Sequence, residues 1–240
     1  MTEAPFVETS VSRDIFNTIN NARAFKKCAA IIGRPGVGKT RSLAAYSTDD
    51  TSARLMTVTA VTGNALRDLL LELCDLLGIY ASGSIASIQR RMFNYDLSES
   101  VLIIDEAQNL KLQAYREVLH LYDFTGIVIV FCGNDQVLRR VNTDKGAFAQ
   151  ISRRVPIHIE LDAMLDEDAD KISSAFGVEG MDAFKLMRAI GAAYETDGVV
   201  SVLQFARRLA GTRTIRAADI RAACEPIPRF RLALSRHTAR

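Results

Sequence analysis

The stretch GRPGVGKT, Gly33 to Thr40, has residue types and spacing that suit one task, wrapping phosphate. Its glycines let the backbone turn tightly, so that successive N–H groups face the oxygens of an anion. A helix starting at the lysine adds the positive end of its dipole. Lys39 is placed to reach the β- and γ-phosphates of a nucleotide, and the Thr40 hydroxyl to bind Mg²⁺. The candidate nucleotide-binding set is Gly33, Pro35, Gly36, Val37, Gly38, Lys39, Thr40 and Arg41. A second stretch, VLIIDEAQ, brings Asp105 to the end of an apolar run, 65 residues after Thr40. Asp105 is a second candidate for Mg²⁺, directly or through water. Glu106 is a candidate to orient and activate an attacking water. A carboxylate in that place favours hydrolysis of ATP over phosphoryl transfer to a small molecule, because a kinase must keep water from the γ-phosphate. A third stretch, FCGND, offers Asn134. Its amide would position the water if its strand lies between the other two; the alternative is a turn-forming asparagine after glycine.

These residues need a scaffold that brings three strand ends together. CAAII (28–32), VLIID (101–105) and GIVIVFCG (126–133) are continuous apolar runs, as expected of strands buried on both faces. RLMTVTAV (54–61) and the alternating VPIHIEL (155–161) supply two more. Helical spacing appears at 9–20, from Lys39, at Leu66 to Leu77, at 85–93 and at 112–122, with Ser10 or Ser12 capping the first. Strands alternating with helices predict an α/β fold with a five-stranded parallel sheet flanked by helices. Beyond Leu161 only helical patterns remain, at 163–176, 181–194, 199–209 and 216–224. The expected organisation is an N-terminal helical segment (1–24), an α/β core (25–162), a small helical lid domain (163–224) and a basic tail (225–240).

Composition excludes several classes. The longest apolar runs are far too short for a membrane span. The N-terminus MTEAPFVE lacks a signal pattern, so a cytoplasmic protein is expected. Cys28, Cys74, Cys132 and Cys224 form no CxxC pair and read as small buried hydrophobes. Residues 160–182 carry eight acids and one base, whereas 201–240 carry nine arginines and two acids. The basic end is a candidate for nucleic acid or an acidic partner, against the plainer reading of a solvated charged face.

Taken together, GRPGVGKT, LIIDEAQ and Asn134 resemble the Walker A, Walker B and sensor 1 motifs of the AAA+ ATPases, with the helical end as their lid. The run DEAQNLKLQAYREVLHLYDFTGIVIVFCGNDQVLRRV, then AFAQISRRVPIHIEL and ETDGVVSVLQFARRLA, narrows the resemblance. It is similar to the DNA-transposition regulators, the group of the phage Mu B protein, TniB and TnsC, over about Ala24 to Ala210. The resemblance implies a protein that oligomerises with ATP on duplex DNA, as a ring or helical filament, without sequence preference. It would recruit and stimulate an integrase-type transposase and disassemble on hydrolysis, in a bacterial host, encoded by a phage or mobile element. The arginine that reaches a neighbouring subunit's nucleotide would be Arg153, with Arg154 as the alternative. DNA contacts would come from Thr62, Asn64, Arg67, Arg90, Arg91 and Lys111. The lid's usual arginine position is Ser201, so a lid contact to ATP is either lost or supplied by Arg207 or Arg208. Two other AAA+ types, a helicase loader and a secretion-assembly ATPase, stand as alternatives.

Overall fold

The computed structural model describes residues 5–141 and 149–238. The chain divides into two compact units. One comprises Asp14–Arg34 and Thr40–Leu161; the other comprises the chain up to Arg13, Pro35–Lys39 and Asp162–Arg240. The strands are β1 (Ala29–Ile32), β2 (Ala53–Thr57), β3 (Val101–Asp105), β4 (Val128–Gly133) and β5 (Ile157–Glu160). The described helices are α1 (Ser10–Phe25), α2 (Lys39–Asp49), α3 (Leu66–Leu76), α4 (Ile85–Met92), α5 (Leu112–Thr125), α6 (Asp135–Val141), α7 (Ala149–Arg154), α8 (Asp166–Ala175), α9 (Met181–Ala210), α10 (Ala217–Cys224) and α11 (Pro228–Thr238).

The first unit is the expected parallel sheet, in the order β2-β3-β4-β1-β5. Every residue of β1, β3 and β4 is buried, which is why these segments read as unbroken apolar runs. The register aligns Ala29 with both Val130 and Ile157, and Val101 with both Ala53 and Val128. Ile32 therefore lies beside Gly133, and Asp105 beside Thr57, so the strand ends converge on one edge. Alternate residues Ala30, Ile32, Leu102, Ile104, Ile129 and Phe131 share one core with the apolar faces of α3, α4 and α5. All four cysteines are buried and free; burial pushes the Cys28 thiol up to about 12.

Two local expectations change. β2 stops at Thr57 rather than running to Val61. Thr59 and Thr62 exchange side-chain-to-backbone hydrogen bonds (3.0 and 3.1 Å), and this competing local pattern turns the β-branched run into a tight knot. At α1 the cap is Thr9 with Ser12, which bond each other's backbone N–H (Ser12 Oγ 2.8 Å, Thr9 Oγ1 3.1 Å). Ser10 instead donates from its N–H to the buried Asp168 of α8 (2.9 Å).

In the second unit α8 to α11 enclose their own core, with Met187, Ile190, Val202, Leu203 and Phe230 at its centre. The expected helices at 181–194 and 199–209 follow one path, α9, broken at the single residue Glu195 (φ 58, ψ −162). The basic tail is not a loose end. Phe230 and Leu234 are four residues apart on α11 and buried against this core, and the Phe230 ring meets Tyr194 edge-on at 5.3 Å. The last residues, Ala239 and Arg240, lie outside the described part.

Phe230→Ala should cost about 3–5 kcal/mol, measured by denaturant unfolding, because it empties a fully buried aromatic site; a cost below about 1 kcal/mol would mean that α11 is not docked. Asp219 offers a pH test. The hydrogen bond from the Arg213 guanidinium, together with the Arg216 N–H (2.9 Å), holds its carboxyl below the usual carboxylate range. A depressed carboxylate stabilises the fold above its unfolded pKa of about 3.9, and that contribution is lost as pH falls through the folded value. Asp219→Asn should therefore lose about 1–2 kcal/mol near neutral pH, discounted for the half-exposed Arg213. Thermal melts should show the gap to the parent protein closing below about pH 4.

Candidate nucleotide site and nucleic-acid face

β1, β3 and β4 end side by side, and each releases one functional segment from its carboxyl end, where open parallel sheets bind ligands. The Gly33 N–H donates to the Gly133 carbonyl at 3.0 Å, which ties the start of the phosphate loop to the end of β4. Thr40, in the first turn of α2, donates from Oγ1 to Asp105 Oδ2 at 2.6 Å. Asp105 is fully buried, and its other oxygen accepts the Glu106 N–H at 2.9 Å. Both carboxylate oxygens thus have the partners that burial of a charge demands.

Glu106 follows in a left-handed conformation (φ 55, ψ 36). That costs a side-chain-bearing residue about 1 kcal/mol or more. Its Oε2 accepts a hydrogen bond from Gln108 Nε2. β4 lies between β3 and β1, the placement that a water-positioning role for Asn134 requires. The Asn134 Oδ1 accepts from the Gln136 N–H at 3.0 Å, capping the start of α6, so the turn-forming reading also describes it.

The segment Pro35–Lys39 belongs to the helical unit. Gly36 (φ +82) and Gly38 (φ +107) occupy conformations that L side chains avoid, and a Cβ on Gly36 would lie 3.3 Å from Asp197 Cβ. Two contacts hold the carbonyls of Gly36 and Val37. The Asp197 N–H donates to Gly36 O at 2.9 Å, and Thr196 Oγ1 donates to Val37 O at 3.1 Å. These donors sit directly after the Glu195 break, whose own carboxylate accepts the Met164 N–H at 2.8 Å. Val37 and Lys39 are buried, whereas Pro35, Thr40 and Arg41 are exposed.

The remaining candidates separate. Arg154 makes a forked pair with Asp123, Nε lying 3.0 Å from both carboxylate oxygens. That hydrogen bond, first, holds its pKa above the ordinary arginine value. Arg153 is exposed on the same short helix and pairs with no described residue. Thr62 sits in the knot with Thr59, and Lys111 is brought to it by its N–H bond to Gly63 O (3.3 Å). Arg67 is exposed and donates to Gly83 O at 3.1 Å. Arg90 and Arg91 are exposed in the last turn of α4, on the order of 10 Å along the helix from that contact. The side chain of Asn64 lies outside the described part.

The two arginines offered as replacements for a lid arginine make these contacts. Arg207 ties off the end of α9, donating to the carbonyls of Arg213 (2.7 Å), Gly211 (3.3 Å) and Phe176. Arg208 lies over the Phe205 ring at 5.7 Å, and Ser201 is half-buried in the helix. Arg207 thus joins the end of α8, at Phe176, to the turn that follows α9.

Comparison with known proteins gives matches of family, sequence and fold. The AAA domain family profile matches residues 23–141. Over 210 residues the chain is 29% identical to the Mu-like prophage FluMu DNA transposition protein B of Haemophilus influenzae, covering 84% of this chain and 71% of that protein. It is 26% identical to the ATP-dependent target DNA activator B of Escherichia phage Mu, covering 85% of this chain and 66% of that protein. The chain has the AAA+ fold and is similar to proteins of the DNA-transposition regulator group. Solved structures carry the same fold. The ORC2 protein of Aeropyrum pernix superposes with a TM-score of 0.65 at 14% identity, over 90% of this chain and 66% of that one. Cdc6p of Pyrobaculum aerophilum superposes at 0.63 and 17%, over 94% and 69%. The chain thus spans about two thirds of the length of these relatives.

Within this AAA+ protein, Thr196, Asp197 and Gln108 were not singled out by motif reading. Gln108 sits in the DEAQ motif, and Thr196 and Asp197 just before the glycine of TDG, but their partners are distant in sequence. Thr196→Val should weaken ATP-analogue binding about 2- to 10-fold, the worth of one hydrogen bond. Thr196→Ser should restore it. Fluorescence titration checks both, and an unchanged affinity in Thr196→Val would remove the threonine from the site.

Proposed function

We propose that this AAA+ protein binds ATP and Mg²⁺ and assembles on duplex DNA as a ring or helical filament. It then recruits and stimulates an integrase-type transposase at that DNA and leaves when ATP is hydrolysed. The setting is the cytoplasm of a bacterial host, with a phage or mobile element as the source. Among the described residues no helix is long and apolar enough to cross a membrane.

The observation that carries the reading is the Thr40–Asp105 contact with Glu106 next in the chain, at the sheet edge where the phosphate loop begins. It occurs in a chain similar, across its sheet and its helical unit alike, to proteins named for DNA transposition and target DNA activation. The Thr40 hydroxyl and the Asp105 carboxylate are hard oxygen donors, and they fit a magnesium ion whose remaining ligands are phosphate and water. Such an ion neutralises charge on the β- and γ-phosphate oxygens. The chain's own groups do the rest. Loop N–H groups and Lys39 bind the phosphates, Glu106 orients the water, and Arg153 of one subunit reaches the nucleotide of the next. The paired state of Arg154 favours Arg153 for that role. Exposed Arg67, Arg90, Arg91 and Lys111 suit phosphate contacts, which position a duplex without reading it.

Electron microscopy and light scattering with an ATP analogue and duplex DNA should show higher-order assemblies whose formation weakens as salt rises. Lys39→Ala should abolish them. Arg153→Ala should lower DNA-dependent ATP turnover at least about 10-fold while leaving monomer nucleotide affinity within about 2-fold. Equal loss of monomer affinity would place Arg153 in its own subunit's site, and persistent monomers without DNA binding would overturn the whole reading.

A further inference from the structure

Glu195 holds a conformation that side chains avoid. Its φ of 58 and ψ of −162 lie in a region populated almost only by glycine. A glycine stands nearby, but at Gly198, where the reason is room: a Cβ there would lie 2.4 Å from Tyr194 Cβ. The chain thus places a carboxylate where the backbone alone favours glycine. A strained position that keeps its side chain points to work done by that side chain. Glu195 Oε2 accepts the Met164 N–H at 2.8 Å. Met164 is buried and leads into α8, so this bond fastens the break in α9 to the segment before α8.

The residues after the break are the ones that hold the phosphate loop, and all of them belong to the helical unit. In an unbroken helix the Asp197 N–H would bond the Ala193 carbonyl and be lost to the loop. Here it donates to Gly36 O at 2.9 Å, beside the bond from Thr196 Oγ1 to Val37 O at 3.1 Å. The loop's two positive-φ glycines lie against the same residues. A Cβ on Gly36 would meet Asp197 Cβ at 3.3 Å, Tyr194 O at 3.7 Å and Glu195 Cβ at 3.9 Å, and one on Gly38 would meet Thr196 Oγ1 at 3.6 Å. On the other side of the break, the Tyr194 hydroxyl donates to the Arg229 carbonyl at 2.7 Å. α11 therefore steadies the first part of α9, and the Glu195 bond acts at the break itself.

We propose that Glu195 is a positioning residue for the nucleotide: its bond to the Met164 N–H keeps α9 broken, so that Thr196 and Asp197 hold the phosphate loop in the shape that receives phosphate. Glu195 touches no reacting atom and acts through its two neighbours. The proposal rests on the reading that Gly33–Thr40 binds ATP. The link from carbonyl to phosphate is peptide planarity. In a trans peptide the carbonyl and the next N–H point opposite ways. Fixing the Gly36 carbonyl therefore fixes the Val37 N–H, and fixing the Val37 carbonyl fixes the Gly38 N–H. A loop set in advance loses less freedom when its anion arrives. The role needs an acceptor oxygen at position 195, not a charge, so a glutamine can fill it.

The test is fluorescence titration of the full chain with a non-hydrolysable ATP analogue, alongside thermal melts. Glu195→Ala and Glu195→Gly should weaken the analogue about 5- to 20-fold. Glu195→Gly, relieved of the backbone strain, should melt within about 4 °C of the parent, which a merely structural role would not allow at such a loss of affinity. Glu195→Gln should recover binding to within about 3-fold of the parent. In the Glu195→Ala background Thr196→Val should cost less than it does alone, because both changes act on one path. Should Glu195→Ala fail to fold, the glycine and glutamine variants decide. Glu195→Gln binding as weakly as Glu195→Gly overturns the proposal, as does a full Thr196→Val cost in the Glu195→Ala background. Parent-like affinity in the glycine variant overturns this proposal alone, provided that Lys39→Ala abolishes binding. A parent protein that does not bind the analogue overturns the nucleotide reading and this proposal with it.

Discussion

The hydrogen bond between Thr40 and Asp105 organises the first unit. It joins the first turn of the helix after the phosphate loop to the end of a strand two places away in the sheet. A fully buried carboxylate without partners costs several kcal/mol. The Thr40 hydroxyl and the Glu106 N–H meet that demand, and each also positions a neighbour. The bond forms only because the parallel register levels β1, β3 and β4 at one edge. A one-residue slip of β3 would turn Asp105 to the other face and bring Ile104 to the edge. The continuous apolar strands fix that register by burial on both sides, so the chemistry is held by a packing constraint far larger than any single polar contact.

Within the second unit the segment Pro35–Lys39 is held by a different device. A thirty-residue helix is interrupted at one residue, and the interruption exposes the donors that a helix normally keeps for itself. The Asp197 N–H and the Thr196 hydroxyl use that opening to hold Gly36 and Val37 by their carbonyls. The loop N–H groups are thereby left for phosphate, which is the economical division of a backbone with one donor and one acceptor per residue. Glu195 sustains the break by accepting the Met164 N–H, so the strain is offset within the same unit.

Much of this was legible in the residues. The five strands, the phosphate loop, the Asp-Glu pair and the shift to helices after Leu161 are encoded over short windows, where periodicity and composition speak directly. What stayed illegible depends on contacts remote in sequence or on competing local bonds. The extent of β2 turned on Thr59 and Thr62 bonding backbone rather than continuing the ladder. The Gln108 link to Asn134 joins residues 26 apart that only the sheet brings together. The contacts of Arg207 with the carbonyls of Phe176, Gly211 and Arg213 were likewise not visible in spacing. The helix in the basic tail was not read from the sequence either: Phe230 and Leu234 carry a helical signal, but the surrounding arginines masked it. Several of those arginines answer acids nearby, Arg213 with Asp219, Arg216 with Glu179 and Arg231 with Glu225, so the basic end is in part internally compensated.

Adjacent arginines on α7 show how one element can tie down one charge and leave the next exposed. Successive residues on a helix point about 100° apart, so Arg153 and Arg154 cannot serve the same partner. Arg154 turns to Asp123 near the end of α5 and makes a forked pair whose planar geometry resists rotation. Buried Ile151 and Val155 hold the same short segment from below. A helix of six residues has little stability of its own, and these anchors set its orientation. Arg153 inherits that orientation without contributing to it. A guanidinium that must meet a nucleotide across a subunit boundary gains from such an arrangement, because its direction is set in the monomer and less freedom is lost when the neighbour arrives.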